Sequence, residues 1–506
     1  MAALSRLLAV RANERPAAAA FIVGADGREL SWRDLSAQAD ALRELTVRRD
    51  LPPRSRIGLT IADPLAFTAT YLGALATGST VVPLDPRLTE AELAASIARL
   101  RIDVLATDEP NRHLAPVESW AVGPTGPTVL RTGHGNLPSA GAALRPAVLL
   151  ASSGTTGAPK GIPLSEWQLL DAARRVARHH GFGPDQRGYT PLPLFHVNAQ
   201  VMGLLATVVS GASLVIDRRF DATEYWARVA RWQPTWLNAV PAILAALLEQ
   251  RAPSTVDGIR FARSASAPLP ETVLRRFADH TGISVLETYG MTEAAGQIAA
   301  NPIAAGERRI GSVGLPVGID LAVLDARGLP SAPGVEGMVA LRGRQVVSHY
   351  LDLDEHGPER ARAARDSDGW LRTGDLGRLD ADGFVYLAGR ADDVINRGGE
   401  KIHPKEVEDV LLTHPLVASA AVVAAPHDRL GQVAVAFVTA RAGSSDRSGD
   451  PDADLAKALE LLCERRLTRY KRPALIEVTN ALPRGPTGKI LRRALRAELT
   501  PIGAAR

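Results

Sequence analysis

Residues 152–161, SSGTTGAPKG, place three glycines and four hydroxyl side chains around one lysine. The apolar run AVLLAS (147–152) leads into this loop and predicts a buried strand, and LSEWQLLDAARRVARHHG (164–181) predicts a helix after it. In this order of strand, loop and helix, backbone N–H groups can face a phosphate. The loop is unlike the common nucleotide loop G-x-x-x-x-G-K-S/T, because Pro159 precedes its lysine and Gly161 follows it. It therefore predicts a phosphate site of another kind.

Helix and strand patterns alternate on both sides of this loop. Before it, the helical patterns SWRDLSAQADALREL, PLAFTATYLGALATGS and TEAELAASIARL alternate with the strand patterns RIGLTI, TVVPLDP and DVLAT, and a second such stretch spans 188–300. Ser31 predicts the N-cap of the first helix, and Gly78 predicts the end of the second. The alternation predicts parallel α/β sheets. Residues 121–146, rich in Gly, Pro, Ser and Thr, predict a surface connection with little regular structure.

The pattern of apolar and turn-forming residues changes in the last third of the chain. Short β patterns with turns predict a small β-rich subdomain at about 305–390, and a mixed α/β tail follows GRADDVINRGGEKIHPKE (389–406). The sequence therefore predicts an α/β protein with a large N-terminal domain, 1–390, made of α/β subdomains and the β-rich subdomain. A small, mobile α+β C-terminal domain, 391–506, completes the prediction.

Composition excludes several classes of function. The chain of 506 residues is 46% hydrophobic and has no apolar run near the ~20 residues of a membrane span. Its net charge of +4 is too small to indicate a nucleic-acid partner. The single cysteine, Cys463, rules out a disulfide framework and predicts a cytoplasmic protein. The histidines have no metal-ligand spacing, and His179–His180 at a helix end are expected to be solvated.

Lysine is scarce, since only six of the 59 basic residues are lysines. Lysine is a compact charge on a flexible stem, whereas arginine is a planar fork, so a lysine retained in such a chain marks a position that needs the compact charge. Lys160 and Lys489 lie in loops of Gly, Pro and Thr, and Lys401 and Lys405 lie in GGEKIHPKE. These lysines are therefore candidate functional residues.

Four polar segments carry the candidate chemistry: SSGTTGAPKG, ETYGMTE (287–293), residues 369–404, and LPRGPTGKILRR (482–493). Each alone is also compatible with an ordinary turn. Together and in this order they resemble the adenylate-forming (ANL) superfamily of acyl-CoA synthetases, carrier-protein adenylation domains and luciferases. PLFHV (193–197), RSASAPLP (263–270), YGMTEA and INRGGEKIHP are similar to benzoate-type and oxalate-type acid–CoA ligases.

The resemblance implies a two-step reaction. A carboxylate attacks the α-phosphorus of ATP to give an acyl-adenylate and pyrophosphate, and the thiol of coenzyme A then displaces AMP. Both steps depend mainly on positioning and charge stabilisation. The implied partners are a small carboxylic acid, ATP and CoA, with Mg²⁺ as cofactor.

The resemblance also assigns roles to residues that match the family's motifs. The β- and γ-phosphate loop would comprise Ser152, Ser153, Gly154, Thr155, Thr156, Gly157 and Lys160. The adenylate would contact Ser266, Ala267, Pro268, Glu287, Thr288, Tyr289, Gly290 and Met291. Thr292 would contact the α-phosphate, Glu293 would bind Mg²⁺, and Asp375 with Arg390 would hold the ribose hydroxyls.

Three further sets complete the implied site. Asp392 matches the hinge about which the small domain rotates between the half-reactions. Lys489 would approach the α-phosphate during adenylation. After rotation, Gly398, Gly399, Glu400 and Lys401 would line the CoA tunnel. The acid pocket would comprise His196, Asn198, Asn238 and Ser264.

The resemblance leaves the acid open. Malonate-type relatives often carry arginine at the position of Thr288, which disfavours malonate, and a short dicarboxylate needs a second cation in its pocket. ANP (300–302) is similar to oxalate-type ligases, whereas the apolar run VNAQVMGLL (197–205) fits a bulkier hydrophobic acid.

Three alternatives to a two-step CoA ligase also remain. A stand-alone adenylation enzyme would load a carrier protein instead of CoA. A relative running only the thioester-forming half-reaction would use a supplied acyl-adenylate. A binding or structural protein would bind ATP without turnover.

Overall fold

The computed structural model describes residues 3–109, 117–123, 126–131, 146–153, 159–253, 256–353, 360–441, 451–485, 488–497 and 499. The strands are, in chain order, β1 Ala19–Val23, β2 Glu29–Ser31, β3 Arg56–Thr60, β4 Thr80–Pro83, β5 Val104–Thr107, β6 Glu118–Gly123, β7 Gly126–Arg131, β8 Val148–Ser153, β9 Pro159–Leu164, β10 Arg187–Thr190, β11 Ser213–Ile216, β12 Trp236–Ala239, β13 Phe261–Ser264, β14 Val285–Met291, β15 Gly296–Ala300, β16 Leu315–Pro316, β17 Asp320–Leu324, β18 Gly337–Arg342, β19 His349–Asp352, β20 Arg360–Ala363, β21 Leu371–Leu379, β22 Val385–Arg390, β23 Ile395–Arg397, β24 Glu400–Ile402, β25 Val417–His427, β26 Gly431–Ala440 and β27 Leu475–Val478.

The helices form the layers that cover these strands. They are α1 Ala3–Glu14, α2 Trp32–Arg48, α3 Pro64–Thr77, α4 Glu90–Leu100, α5 Glu166–His180, α6 Ala206–Ser210, α7 Tyr225–Trp232, α8 Pro241–Leu247, α9 Glu271–Thr281, α10 Pro404–Leu411, α11 Pro451–Arg466 and α12 Arg492–Ala497. A π-helix spans Asn198–Leu205, and 3₁₀ turns span Thr292–Ala294, Ala305–Glu307, Ala391–Asp393 and Arg469–Lys471. Within the ranges given above, none of the helices has the length and apolarity needed to cross a membrane.

The first sheet of the large N-terminal domain has nine strands in the order β16-β15-β14-β13-β12-β10-β11-β1-β2. Its centre, from β14 to β1, is parallel, as the alternation of patterns predicts. The register sets Asn238 of β12 opposite Arg263 of β13. Residues paired in this way share a face of the sheet, so these two side chains point to the same layer.

The second sheet also has nine strands, in the order β20-β19-β9-β8-β4-β3-β5-β6-β7. Strand β19 lies within the predicted β-rich stretch, yet it pairs antiparallel with β9 of this sheet, with Leu351 opposite Gly161. The pairing places Tyr350 beside Lys160, at the end of the predicted phosphate loop.

A four-stranded antiparallel sheet, β17-β18-β21-β22, follows, and it sets Asp375 opposite Arg390. The smaller C-terminal domain has its own sheet, β24-β23-β26-β25 with β27 on β26. It also has its own apolar core, in which Cys463 is buried. The predicted α/β fold class, with a large N-terminal and a smaller C-terminal domain, is confirmed.

Local sequence explains the helix ends. Ser31 accepts a hydrogen bond from the N–H of Asp34 and caps α2, as predicted. Gly78 ends α3 with a φ of 84°, a left-handed conformation that glycine adopts without steric cost.

Two sequence predictions are wrong. The described residues between 121 and 131 form strands β6 and β7 rather than an irregular connection, because they pair as an antiparallel edge of the second sheet. His180 is fully buried rather than solvated, because its ring packs against Phe182 and Phe261.

Candidate active site

Asp375 is oriented by two side chains. The Tyr289 hydroxyl donates a hydrogen bond to Oδ2, and Nη1 of Arg390 lies 3.3 Å from Oδ1. The same Nη1 donates to the carbonyl of Thr373 at 2.8 Å, which fixes the guanidinium against β21. Burial, reinforced by the neighbouring Asp375, raises the pKa of Tyr289, so its hydroxyl remains a donor. A carboxylate fixed in this way can accept hydrogen bonds from a pair of vicinal hydroxyls.

Glu293 forms an ion pair with Lys160, the lysine of the SSGTTGAPKG segment. Lys160 Nζ lies 3.0 Å from Oε1 of Glu293, and the Tyr350 hydroxyl donates to the same oxygen at 3.2 Å. The lysine Nζ also lies 3.7 Å from the centre of the Tyr350 ring. Glu293 is buried, so a carboxylate, an ammonium and a phenol form one compact cluster.

This cluster suits a magnesium ion that arrives with phosphates. Mg²⁺ is usually held by one or two carboxylates together with substrate phosphates and water. Among the described residues no group of three or more acidic, His or Cys side chains could hold a metal by itself. A single buried carboxylate next to the lysine of the predicted phosphate loop therefore fits Mg²⁺ bound through ATP.

Lys489 extends from a tight loop of the small domain into the cleft. Gly485 donates its N–H to the carbonyl of Lys489 at 2.9 Å, and a Cβ at Gly488 would lie 3.2 Å from the Cβ of Ala242 in the large domain. Burial and the charge of Arg390 lower the pKa of Lys489, whereas Asp375 acts in the opposite direction. The lysine is thus within electrostatic reach of the Asp375–Arg390 pair.

A cavity of about 110 Å³ lies between the two domains at this point. Its lining includes Ala267, Pro268, Lys405, Lys489 and Arg492. The structure therefore brings Ala267, Pro268 and Lys489 to one cleft.

Two of the predicted acid-pocket residues, Asn198 and Asn238, form a polar cluster around a buried arginine. Arg263 is 2% exposed, and its Nη1 donates to Oδ1 of Asn198 at 3.2 Å and to Oδ1 of Asn238 at 3.0 Å. Asn198 in turn donates to the Ser266 hydroxyl at 3.2 Å. The cluster joins the π-helix, β12 and β13 beneath the predicted adenylate loop.

Arg263 lacks a compensating charge. Its hydrogen bonds go to neutral amides, and no carboxylate within the described ranges forms an ion pair with it. Its Nε and the hydroxyl of Ser264 are buried without a hydrogen-bond partner in the same ranges. Burial lowers the pKa of Arg263 to about 9, so the group stays cationic at neutral pH. Among the residues around the predicted acid pocket, Arg263 therefore carries a positive charge.

His196, another residue of the predicted acid pocket, is a neutral ring. Burial lowers its pKa to about 4, although Asp85 counteracts part of the effect. Its Nε2 is buried and has no partner among the residues described. A neutral imidazole suits a lining or gating role better than a cationic one.

The remaining predicted residues are distributed as follows. Gly154, Thr155, Thr156 and Gly157 lie outside the described residues, as do the side chains of Ser152 and Ser153. Glu287 is buried in β14, where burial raises its pKa to about 8, and Thr288 donates to the carbonyl of Ser264 at 3.3 Å. At Gly290 a Cβ would lie 2.3 Å from the carbonyl oxygen of Gly296, which explains the glycine. Gly398 and Gly399 join β23 to β24, and Glu400 and Lys401 begin β24 with exposed side chains.

The sequence reasoning missed two residues of this site. Tyr350 lies in no recognised motif, and only the pairing of β19 with β9 brings it to Lys160. Arg263 had a signal, since it is the one charged residue in the apolar strand FARS, where a charge needs a reason to be buried.

Comparison with known proteins agrees with this geometry. Residues 8–351 match the model of the AMP-binding enzyme family, and residues 406–489 match that of the AMP-binding enzyme C-terminal domain. The chain therefore belongs to the AMP-binding enzyme family. Within that family it is an acid–CoA ligase of the AMP-forming kind, which activates a carboxylic acid with ATP as an acyl-adenylate and transfers the acyl group to CoA.

Relatives along the whole chain give the same class. The chain is 36% identical to sulfoacetate–CoA ligase of Cupriavidus necator, over 97% of each protein. It is 31% identical to oxalate–CoA ligase of Arabidopsis thaliana, over 88% of each. Among solved structures, ATP-bound MatB of Rhodopseudomonas palustris superposes with a TM-score of 0.84 at 27% identity, covering 98% of this chain and 99% of MatB.

Proposed function

We propose that the acid used by this ligase is short and carries a second anionic group, a sulfonate or a second carboxylate, that Arg263 binds. The observation that carries the proposal is the buried Arg263 guanidinium, which bonds to Asn198 and Asn238 and has no carboxylate partner in the part of the chain that the structure describes. A buried charge is costly unless it is paired and hydrogen-bonded. An anionic group on the substrate supplies the missing partner.

The positions of Arg263 and Thr288 indicate which strand would supply the cation that binds the second anion. The neutral Thr288 side chain bonds to the Ser264 carbonyl at 3.3 Å, so β14 contributes no cation at that position. The cation comes instead from β13, one residue before Ser264. A second anion would therefore be recognised by a different strand from the one that the malonate-type pattern uses.

Two relatives support an acid of this kind. Sulfoacetate–CoA ligase and oxalate–CoA ligase are named for short acids with a second acidic group. By contrast, the chain is 28% identical to a long-chain-fatty-acid–CoA ligase of Mycobacterium tuberculosis. We rank sulfoacetate first and oxalate second.

The chain's residues have separable roles in the proposed mechanism. Lys160 and the 152–157 loop hold the β- and γ-phosphates, and Asp375 with Arg390 holds the ribose. Lys489 places its ammonium between the acid carboxylate and the α-phosphate, where negative charge concentrates during attack. Glu293 would hold Mg²⁺, which when bound neutralises phosphate charge.

Thioester formation uses a second arrangement. We propose that residues 391–506 rotate about Asp392 relative to residues 1–390, which withdraws Lys489 and brings the 398–401 turn to the thiol route. The neutral His196 would then line that route.

The buried, unpaired Cys463 is compatible with a reducing cytoplasm.

An acid panel tests the proposed substrate class. Thioester formation with ATP and CoA is measured for sulfoacetate, oxalate, malonate, acetate, hexanoate and benzoate. We expect the acids with a second anion to exceed the others in kcat/KM by at least about 100-fold, since a site built around a buried polar group rejects ligands that leave it unpaired. A preference for hexanoate or benzoate would contradict the proposal.

Replacing CoA by a pantetheine-loaded carrier protein should abolish turnover, and equal turnover would favour the carrier-loading alternative.

Tyr350→Phe tests the Glu293 cluster. This change removes the hydrogen bond to Oε1 of Glu293 but keeps the ring beneath Lys160. We expect the Mg²⁺ concentration for half-maximal pyrophosphate–ATP exchange to rise about fivefold, which corresponds to one lost hydrogen bond of about 1 kcal/mol. Tyr386→Phe, which changes a tyrosine outside the cluster, is the control. A fall in thioester formation from supplied acyl-adenylate equal to the fall in exchange would indicate general damage instead.

A further inference from the structure

Asp393, the residue after the predicted hinge Asp392, contacts the helix that directly follows the Lys489 loop. Asp393 ends the 3₁₀ turn Ala391–Asp393, and its Oδ1 accepts a hydrogen bond from Nη2 of Arg496 at 2.6 Å. Its Oδ2 also lies 3.9 Å from Nη1 of Arg492. Both arginines lie in α12, three and seven residues after Lys489.

The same helix is anchored in the small domain. Nη2 of Arg492 contacts both oxygens of Glu408, at 2.6 and 2.9 Å, and Glu408 also accepts from the N–H of Val422 at 2.8 Å. The side chains of Glu408 and Arg492 are 10% and 18% exposed, so this ion pair is largely shielded from solvent. Arg492 therefore links the core of the small domain, the Lys489 loop and Asp393.

On the other side of Lys489, Arg484 closes the loop. Its Nη1 donates to the carbonyl of Gly488 at 2.8 Å, and its Nη2 donates to the Ser419 hydroxyl of β25 at 2.9 Å. The lysine is thus held at both ends of its loop. Among the residues that the structure describes in this loop and helix, those of α12 contact the segment after the hinge.

Asp393 differs from its neighbour Asp392 in what it contacts. Asp392 Oδ2 lies 3.7 Å from Nη2 of Arg390, which belongs to the large domain. Asp393 instead contacts residues that would move with the small domain. A change in the backbone torsions at Asp392 would therefore carry Asp393, α12 and Lys489 as one unit.

We propose that Asp393 is a positioning residue that couples the hinge to Lys489 through Arg496 and Arg492. The inference rests on the proposed role of Lys489 in adenylation. Asp393 touches neither ATP nor the acid in this account, and its contacts lie within residues 391–506. They are kept when the small domain rotates, but they matter only while Lys489 must be placed accurately.

Asp393→Asn and Arg496→Gln test the coupling. Each variant should lower acid-dependent pyrophosphate–ATP exchange about tenfold and change thioester formation from supplied acyl-adenylate by less than about twofold. The double variant should lose little more than either single variant, because both remove the short Asp393–Arg496 contact. Asp320→Asn, which breaks an exposed ion pair to Arg342 at 3.7 Å, is the matched control and should change neither step.

Two results would overturn the proposal. One is an equal loss in both half-reactions, which would make Asp393 a general stability residue. The other is additive loss in the double variant. Lys489→Ala is measured in parallel: if it shows no difference between the half-reactions, the assigned role of Lys489 has failed. If it shows the difference and Asp393→Asn does not, only the coupling has failed.

Discussion

Lys489→Ala is expected to lower acid-dependent exchange of pyrophosphate with ATP by at least about 100-fold, the usual effect of removing one charge-stabilising donor. Thioester formation from supplied acyl-adenylate should stay within about threefold of the unaltered enzyme. The reason is positional: in the domain arrangement of this structure, Lys489 lies within electrostatic reach of Asp375 and Arg390. Rotation would remove it from the second step.

The control for this variant is Lys457→Ala. Lys457 is exposed on α11 of the same small domain, so its loss tests the effect of removing a lysine charge from that domain. Lys457→Ala should leave both half-reactions unchanged. Equal loss of exchange and thioester formation in Lys489→Ala would refute the division of roles.

Arg263→Met is expected to reverse the acid preference. The change should lower kcat/KM for sulfoacetate by about 100-fold or more, since one partner of a buried charge pair is worth about 2–5 kcal/mol. For 3,3-dimethylbutyrate, which replaces the sulfonate by a neutral group of similar shape, kcat/KM should stay equal or rise. The measurement is thioester formation with each acid at varied concentration.

Arg175→Met provides the matched comparison for Arg263. Arg175 is also a buried arginine, but its Nη1 bonds to the backbone carbonyls of Gln297 and Val317, outside the acid pocket. Any damage from Arg175→Met should affect both acids equally. If Arg263→Met also lowers both acids equally, Arg263 supports the fold and does not select the acid.

Much of this fold could be predicted from the sequence because its signals are local. The capping box at Ser31 and the left-handed Gly78 end are each determined within four residues, and both are present. The edge hairpin of β6 and β7 gave no such signal. It depends on pairing between neighbouring strands, and its glycine- and proline-containing segments resemble a loop.

The residues of the candidate site likewise divide into those that the sequence indicates and those that only distant contacts reveal. Lys160, Glu293, Asp375 and Lys489 stand in motifs that identify them when the four segments are taken together, and the structure adds which of them are in contact. Tyr350 and Asp393 act through contacts with residues 57 and 103 positions away, which no local pattern can reveal. Arg263 is intermediate, since its residue type is visible in the strand FARS but its lack of a partner is not.

The most direct test of the account is the ratio of kcat/KM for sulfoacetate to that for 3,3-dimethylbutyrate in the unaltered enzyme. The two acids share the reacting carboxylate and a tetrahedral group one methylene away, and they differ in the charge that Arg263 would bind. We expect a ratio of at least about 100, because a neutral acid leaves the buried guanidinium unpaired. A ratio of one or less would contradict it.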